Sequence, residues 1–203
     1  DFVVAATGAF QTPVIPAVVP RDAPFHQIHS SDYHNPQQLP EGGVLVVGAG
    51  SSGVQIAAEL RASGRETYLA VGPHDRPPRS YRGRDFCWWL GVLGKWDAAA
   101  PPAGAEHVTI AVSGAGGGHT VDFRQLAADG ITLLGRAQAF DAGTMTFAAD
   151  LRTNIENGDA TYLAMLREAD DYIERNGLDL PAEPQAHDLG PLPDLSLIHI
   201  SEP

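Results

Sequence analysis

Three glycines, Gly48, Gly50 and Gly53, are spaced G-x-G-x-x-G with Ser51 and Ser52 between the last two. Each has a separate use in binding a dinucleotide. The first permits a tight turn after a strand, and the second lets the backbone approach a pyrophosphate. The third lets the following helix pack close on the strand. The free N–H groups at the helix start, and the partial positive charge there, favour phosphate. Arg76, Arg79, Arg82 and Arg84 crowd the loop over 72–85. Guanidinium forks match a phosphate well. Arg76 and Arg79 are therefore the candidates for the 2′-phosphate of NADP. An acid about 20 residues on, at the end of the second strand, would instead read the ribose hydroxyls of NAD. That strand ends Val71-Gly72-Pro73, and Glu66 stands at its wrong end. Asp75 keeps an NAD reading open, but NADP is favoured. No side chain stands out as a catalytic acid or base.

The elements that must position these residues are legible. Val44 to Val47 is a continuous apolar run, expected to be a strand buried on both faces. A helix follows over 52–63, stopped by Gly64, and a second strand over 67–71 closes a βαβ unit. Further on, the pattern predicts helices over 86–93, 123–129 and 159–176, and strands over 108–112 and 131–134. Alternating strands and helices give an α/β class, with a Rossmann-like domain. A short strand over 2–6 precedes a connector held extended by Pro13, Pro16, Pro20 and Pro24. The run 114–118 reads as a mobile glycine loop.

Bulk properties narrow the function. The 203 residues carry a net charge of −12, which argues against nucleic-acid or anionic-membrane partners. Cys87 is the one cysteine, so there is no CxxC redox pair. No apolar run reaches the roughly 18 residues of a membrane span, and a cytoplasmic location is the expectation. His26, His29 and His34, near Asp32, read as a hydrogen-bonding hub rather than a metal site. Phe86, Trp88, Trp89 and Trp96 read as core, Cys87 as a small buried hydrophobe, and Asp170 and Asp171 as a solvated face.

The order VVAATGAFQTPVIP, then HSSDY, then VLVVGAGSSGVQIAAEL resembles the flavin-containing monooxygenases, in particular their bacterial predicted-flavoprotein branch. PPRSYRGRDFCWWL is similar to that branch as well. Phe25 and His29 fall on the family's F-x-G-x-x-x-H pattern imperfectly, with Gln27 where its glycine stands. The resemblance implies a protein with two dinucleotide-binding domains, in which NADPH reduces FAD and the reduced flavin activates dioxygen to oxidise a small-molecule substrate. It implies that 1–40 are a remnant of the FAD domain with its linker, and that Thr7 and Gly8 lie near FAD. Residues 41–194 would be the NADPH domain with an extension. Residues 195–203 read as a translated sequencing adapter. The whole is expected to be an internal fragment, inactive alone because the flavin's own glycine fingerprint lies upstream. Two alternatives stand beside this: a thioredoxin-reductase-like or other flavin reductase without a dithiol, and a non-catalytic nucleotide-sensing module. Substrate and oligomeric state are not legible.

Overall fold

The computed structural model describes residues 3–4, 12–98 and 108–192. A connector leads to β1 (Val44–Val47) and α1 (Ser51–Ala62), then β2 (Thr67–Ala70). Three two-residue strands follow: β3 (His74–Asp75), β4 (Ser80–Tyr81) and β5 (Arg84–Asp85). Next come α2 (Phe86–Val92), β6 (Thr109–Ile110), β7 (Val112–Ser113) and β8 (His119–Thr120). The last part comprises α3 (Phe123–Ala128), β9 (Thr132–Leu134), β10 (Ala137–Asp141), β11 (Thr144–Phe147) and the long α4 (Leu151–Asn176).

The central sheet is parallel, in the order β1-β2-β9. Val44 lies opposite Thr67 and Val47 opposite Ala70, while Ala70 also faces Leu134. Parallel neighbours need a crossover, which α1 supplies between β1 and β2. The expected α/β class with a parallel sheet is thus observed. One detail differs. Val44 to Val47 was expected to be buried on both faces, yet Val47 is 51 % exposed. Among the described residues β1 has a strand neighbour on one side, β2, so its other edge is uncovered.

Two apolar clusters hold the molecule. The first packs Val54 and Ala57 of α1 on Leu69 and Val71, with Phe123, Leu126, Leu133 and Ile155. The second joins Tyr81 and Trp89 to Tyr162, Met165, Leu166, Ala169 and Ile173 of α4. Trp89 is fully buried and its indole N–H donates to the Tyr81 carbonyl at 3.0 Å, which satisfies the polar tip that a buried tryptophan must place. The aromatic stretch is therefore core at Trp89. Trp96, in contrast, is 62 % exposed. Cys87 is exposed rather than buried, because it sits on the outer side of a short helix whose next turn buries Trp89. α4 ends where Gly177 adopts φ 60° and the Leu178 N–H bonds back to the Ile173 carbonyl, the left-handed stop that glycine allows.

Among the described residues no helix is long and apolar enough to cross a membrane. The expected strand over 2–6 and the tail over 195–203 fall outside the described residues, apart from Val3 and Val4, which carry no strand.

Candidate functional site

β1 ends at Val47 and the chain turns through Gly48, whose φ of +104° is open to glycine and costly for a side chain. α1 then starts at Ser51 with Gly50 as its N-cap, and no side chain caps it. Its first N–H groups are therefore left without an intrahelical partner. Gly53 lies so close to the turn that an added Cβ would overlap the Gly48 carbonyl oxygen. The spacing thus does what the fingerprint requires: strand and helix meet with no room for a methyl group. Ser52 is exposed at the helix start, while Ser51 turns to one side. Its hydroxyl donates to the Ile110 carbonyl at 2.9 Å and accepts from the Val112 N–H at 3.2 Å. Residues 109–113 therefore form a wall beside the turn. A Cβ at Gly50 would stand 3.4 Å from that of Thr109. β6 itself runs parallel to β3, with Thr109 opposite His74.

The arginines are placed differently from the expectation. Arg76 is 2 % exposed. Its Nε donates to Asp159 Oδ1 at 2.8 Å and its Nη1 to the Val121 carbonyl at 3.2 Å. Nη2 is 2.6 Å from the same carboxylate oxygen but lacks the angle of a hydrogen bond. Arg124 grips the other side of Asp159, Nη2 to Oδ2 at 2.7 Å. The hydrogen bonds it donates to Asp159 hold the Arg124 guanidinium above its usual range, against the cost of its burial. The Tyr162 ring lies under Arg76, 4.4 Å from Cζ. A buried cation needs such a partner set, and Arg76 is committed to it. The first candidate for a 2′-phosphate thus has its guanidinium turned into the protein in this arrangement.

Arg79 pairs with Asp85, and its backbone N–H donates to Thr120 Oγ1 at 2.9 Å. Its guanidinium lies against Gly118, so the glycine run over 114–118 packs on this arginine. That run holds a short 3-10 turn at Ala115–Gly117. Arg82 reaches Asp170 at 2.8 Å, and Arg84 lies 5.3 Å from the Trp88 ring. Each cation in the loop is thus bound to this chain's own groups. Asp170, expected to be solvated, instead accepts from Arg82 and from the Tyr81 hydroxyl at 2.9 Å. Thr7 and Gly8 lie outside the described residues.

Two features escaped the sequence reading. One is Asp159, the carboxylate that holds buried Arg76 and half-buried Arg124. The other is a polar cleft of about 390 Å³ beyond the carboxyl ends of β2 and β9, lined in part by His74, Asp75, Arg136, Asp150 and Asn157. His74 is 2 % exposed and its ring lies tilted against Phe123, with centroids 4.5 Å apart. Burial lowers its pKa from the ordinary value. Strand order could have pointed to this cleft, because ligands gather at the carboxyl ends of parallel strands. Reading it required knowing that β9 lies beside β2.

Upstream, the polar-aromatic stretch docks on this unit. The Tyr33 hydroxyl donates to Glu59 Oε2 of α1 at 2.9 Å, and desolvation with that carboxylate pushes its pKa up to about 12. His29 Nδ1 accepts from the Ser31 N–H at 3.1 Å.

Comparison with known proteins agrees with the geometry of the turn. Residues 1–82 match the pyridine nucleotide-disulphide oxidoreductase family. An uncharacterized CzcO-like oxidoreductase of Geobacillus kaustophilus (strain HTA426) is 49 % identical over 94 residues, 45 % of this chain and 27 % of that protein. The CzcO oxidoreductase of Bacillus subtilis (strain 168) is 46 % identical over 94 residues, with the same coverage. The flavin-containing monooxygenase iboF of Amanita muscaria (strain Koide BX008) is 40 % identical over 99 residues, 46 % of this chain and 18 % of that protein. The chain thus spans about a quarter of the length of the bacterial relatives. No solved structure matches it. Over somewhat less than half its length, the chain is similar to oxidoreductases of the flavin-containing monooxygenase kind, as its motifs predict.

Proposed function

We propose that this chain is the NADPH-binding portion of an FAD-dependent, monooxygenase-like oxidoreductase. The observation that carries the reading is the glycine turn, where Gly53 leaves no space for a Cβ against Gly48 and Ser52 stands exposed at the uncapped start of α1. The backbone of Gly48, Gly50 and Gly53 would cradle the pyrophosphate, with Ser52 at its open side and Ser51 bracing the 109–113 wall. Thr7 and Gly8 would approach FAD. The flavin would supply the oxygen chemistry toward a small-molecule substrate. This chain's part is to bind and orient the reductant, and it holds no proposed acid or base. Arg79 could contribute to the phosphate side only by leaving Asp85.

A reductase without a dithiol is the second reading. It is favoured by the family match over 1–82 and by the single exposed Cys87.

Isothermal titration of the chain with NADPH and with NADH tests the primary reading. Saturable one-to-one binding of at least one nucleotide is expected. Failure of both to bind would sink it.

A further inference from the structure

Resting on that reading, we infer that the 178–190 segment is a strap whose docking on Arg82 tunes nucleotide affinity at the glycine turn. β4 and β5 pair Tyr81 with Arg84, so Arg82 and Gly83 form a two-residue turn. Both take positive φ, 49° and 71°. Such a turn favours Asn-Gly, and an arginine in its first place is held against its preference. The strap supplies what holds it. The Arg82 N–H donates to Glu183 Oε2 at 2.6 Å, its Nε to the Pro181 carbonyl at 3.0 Å and its Nη2 to the Leu180 carbonyl at 3.2 Å. The Pro181 ring lies over Gly83, where an added Cβ would meet its Cγ at 3.5 Å.

The strap itself has no strand pairing, and its regular structure is one 3-10 turn at Pro184–His187. Leu178, Leu180, Ala186 and Leu189 lay it on the Trp89 cluster. A segment held by side chains rather than by a ladder opens locally, ahead of the core. It therefore has two states, docked and released, and in the released state the Arg82 turn loses its hold. The turn is joined to the nucleotide site by direct contacts. Ser80, which begins the hairpin, follows Arg79, whose N–H donates to Thr120 Oγ1 at 2.9 Å. Thr120 pairs with Val112 across β7 and β8. The Val112 N–H donates to Ser51 Oγ at 3.2 Å, at the first residue of α1. With the strap docked, the 109–113 wall is braced beside Gly50 and the turn is preorganised for the nucleotide. Coupling of this kind is reciprocal, so bound nucleotide must also hold the strap down.

The test follows hydrogen exchange of the whole chain by mass spectrometry, free and with saturating NADPH, and titrates NADPH by calorimetry. Two variants accompany the intact chain, Arg82→Asn and Glu183→Gln. Asparagine suits the turn but cannot reach the strap carbonyls, so it separates the clip from the strain of the turn. Arg82→Asn should speed exchange over 178–190 by about tenfold, the value of the lost charge-assisted hydrogen bonds. It should also weaken NADPH binding by about fivefold. Saturating NADPH should slow strap exchange in the intact chain by a similar factor. Glu183→Gln should move exchange and affinity the same way, by less. Unchanged strap exchange in Arg82→Asn would overturn the inference, and so would a faster strap with NADPH affinity unchanged. NADPH that binds the intact chain without slowing strap exchange would overturn it too. Should Arg82→Asn fail to fold, that protection and Glu183→Gln decide alone. Each of these results leaves the glycine-turn reading standing. An intact chain that binds neither NADPH nor NADH would overturn both.

Discussion

At the residue scale, one glycine contact, one buried ion pair and one buried histidine decide what the site can be. Gly53→Ala would drive a methyl group into the Gly48 carbonyl. Overpacking of this kind costs 1–3 kcal/mol and occasionally more. A loss of about 3 kcal/mol is expected in urea unfolding, far beyond any gain in helix propensity. Arg76 behaves as a structural residue. Removing one partner of a buried ion pair costs about 3–5 kcal/mol, so Arg76→Met should lower the unfolding midpoint sharply. A variant that melts like the parent but loses NADPH preference would contradict this assignment. His74 carries the pH prediction. Its folded pKa lies below the ordinary 6.5 because burial disfavours the cation. As pH falls below 6.5 the unfolded chain takes up a proton that the folded chain refuses, so stability declines with falling pH. The decline continues until the lower folded value is reached. His74→Phe should flatten the stability curve between about pH 7 and pH 5, as read by thermal melts at fixed ionic strength.

At the element scale, what was legible in the sequence and what was not have separate physical causes. β1, α1, β2, α2, α3 and β9 follow from local apolar patterning and fall within a residue or two of expectation. α4 does not: it was expected from Asp159, and it begins at Leu151. Its first two turns hold Asn154, Asn157 and Gly158, which look like loop residues by propensity. Asn154 and Gly158 are explained by long-range partners instead. Asn154 serves Val71, and Gly158 makes room for His74, whose Nε2 would lie 2.5 Å from an added Cβ. The β10-β11 hairpin was missed because its two-residue turn is Ala142-Gly143, with φ of 47° and 84°. Both positions take positive φ, where Asn or Asp in first place would have signalled the turn. In the same way the arginine loop looked like a phosphate site because its partners, Asp85, Asp159 and Asp170, are up to 88 residues away. The 109–113 wall gives a prediction at this scale. Ser51→Ala removes an acceptor from the Val112 N–H. One hydrogen bond is worth about 1 kcal/mol, so hydrogen exchange at Val112 should quicken by about fivefold, with little change in the β2 amides. Equal acceleration in both would mean that the wall does not open on its own.

At the scale of the whole molecule, α4 is the member that makes the two apolar clusters one structure. Its first two turns supply Ile155 to the sheet cluster, and the stretch from Tyr162 to Ile173 serves the Trp89 cluster. Between them sits Asp159, holding Arg76 from the loop after β2 and Arg124 from α3. The 178–189 segment is pinned to the same helix. The Tyr81 hydroxyl lies 3.0 Å from His187 Nε2 and donates to Asp170, while the Tyr162 hydroxyl donates to the Ala186 carbonyl at 3.1 Å. Burial and Asp170 push the Tyr81 phenol well above its usual range. A continuous helix shared by both clusters should make them unfold together. Leu166 is fully buried in the second cluster, far along α4 from the glycine turn. Leu166→Ala should cost about 2–5 kcal/mol. The near-ultraviolet signal of the aromatic side chains and the far-ultraviolet signal of the whole chain should still move in a single transition. If the near-ultraviolet signal melted first and the remaining structure kept its nucleotide affinity, the two clusters would be independent and α4 would be a tether between them. A coincident transition would instead mean that the glycine turn depends for its shape on a helix that starts about 100 residues downstream of it.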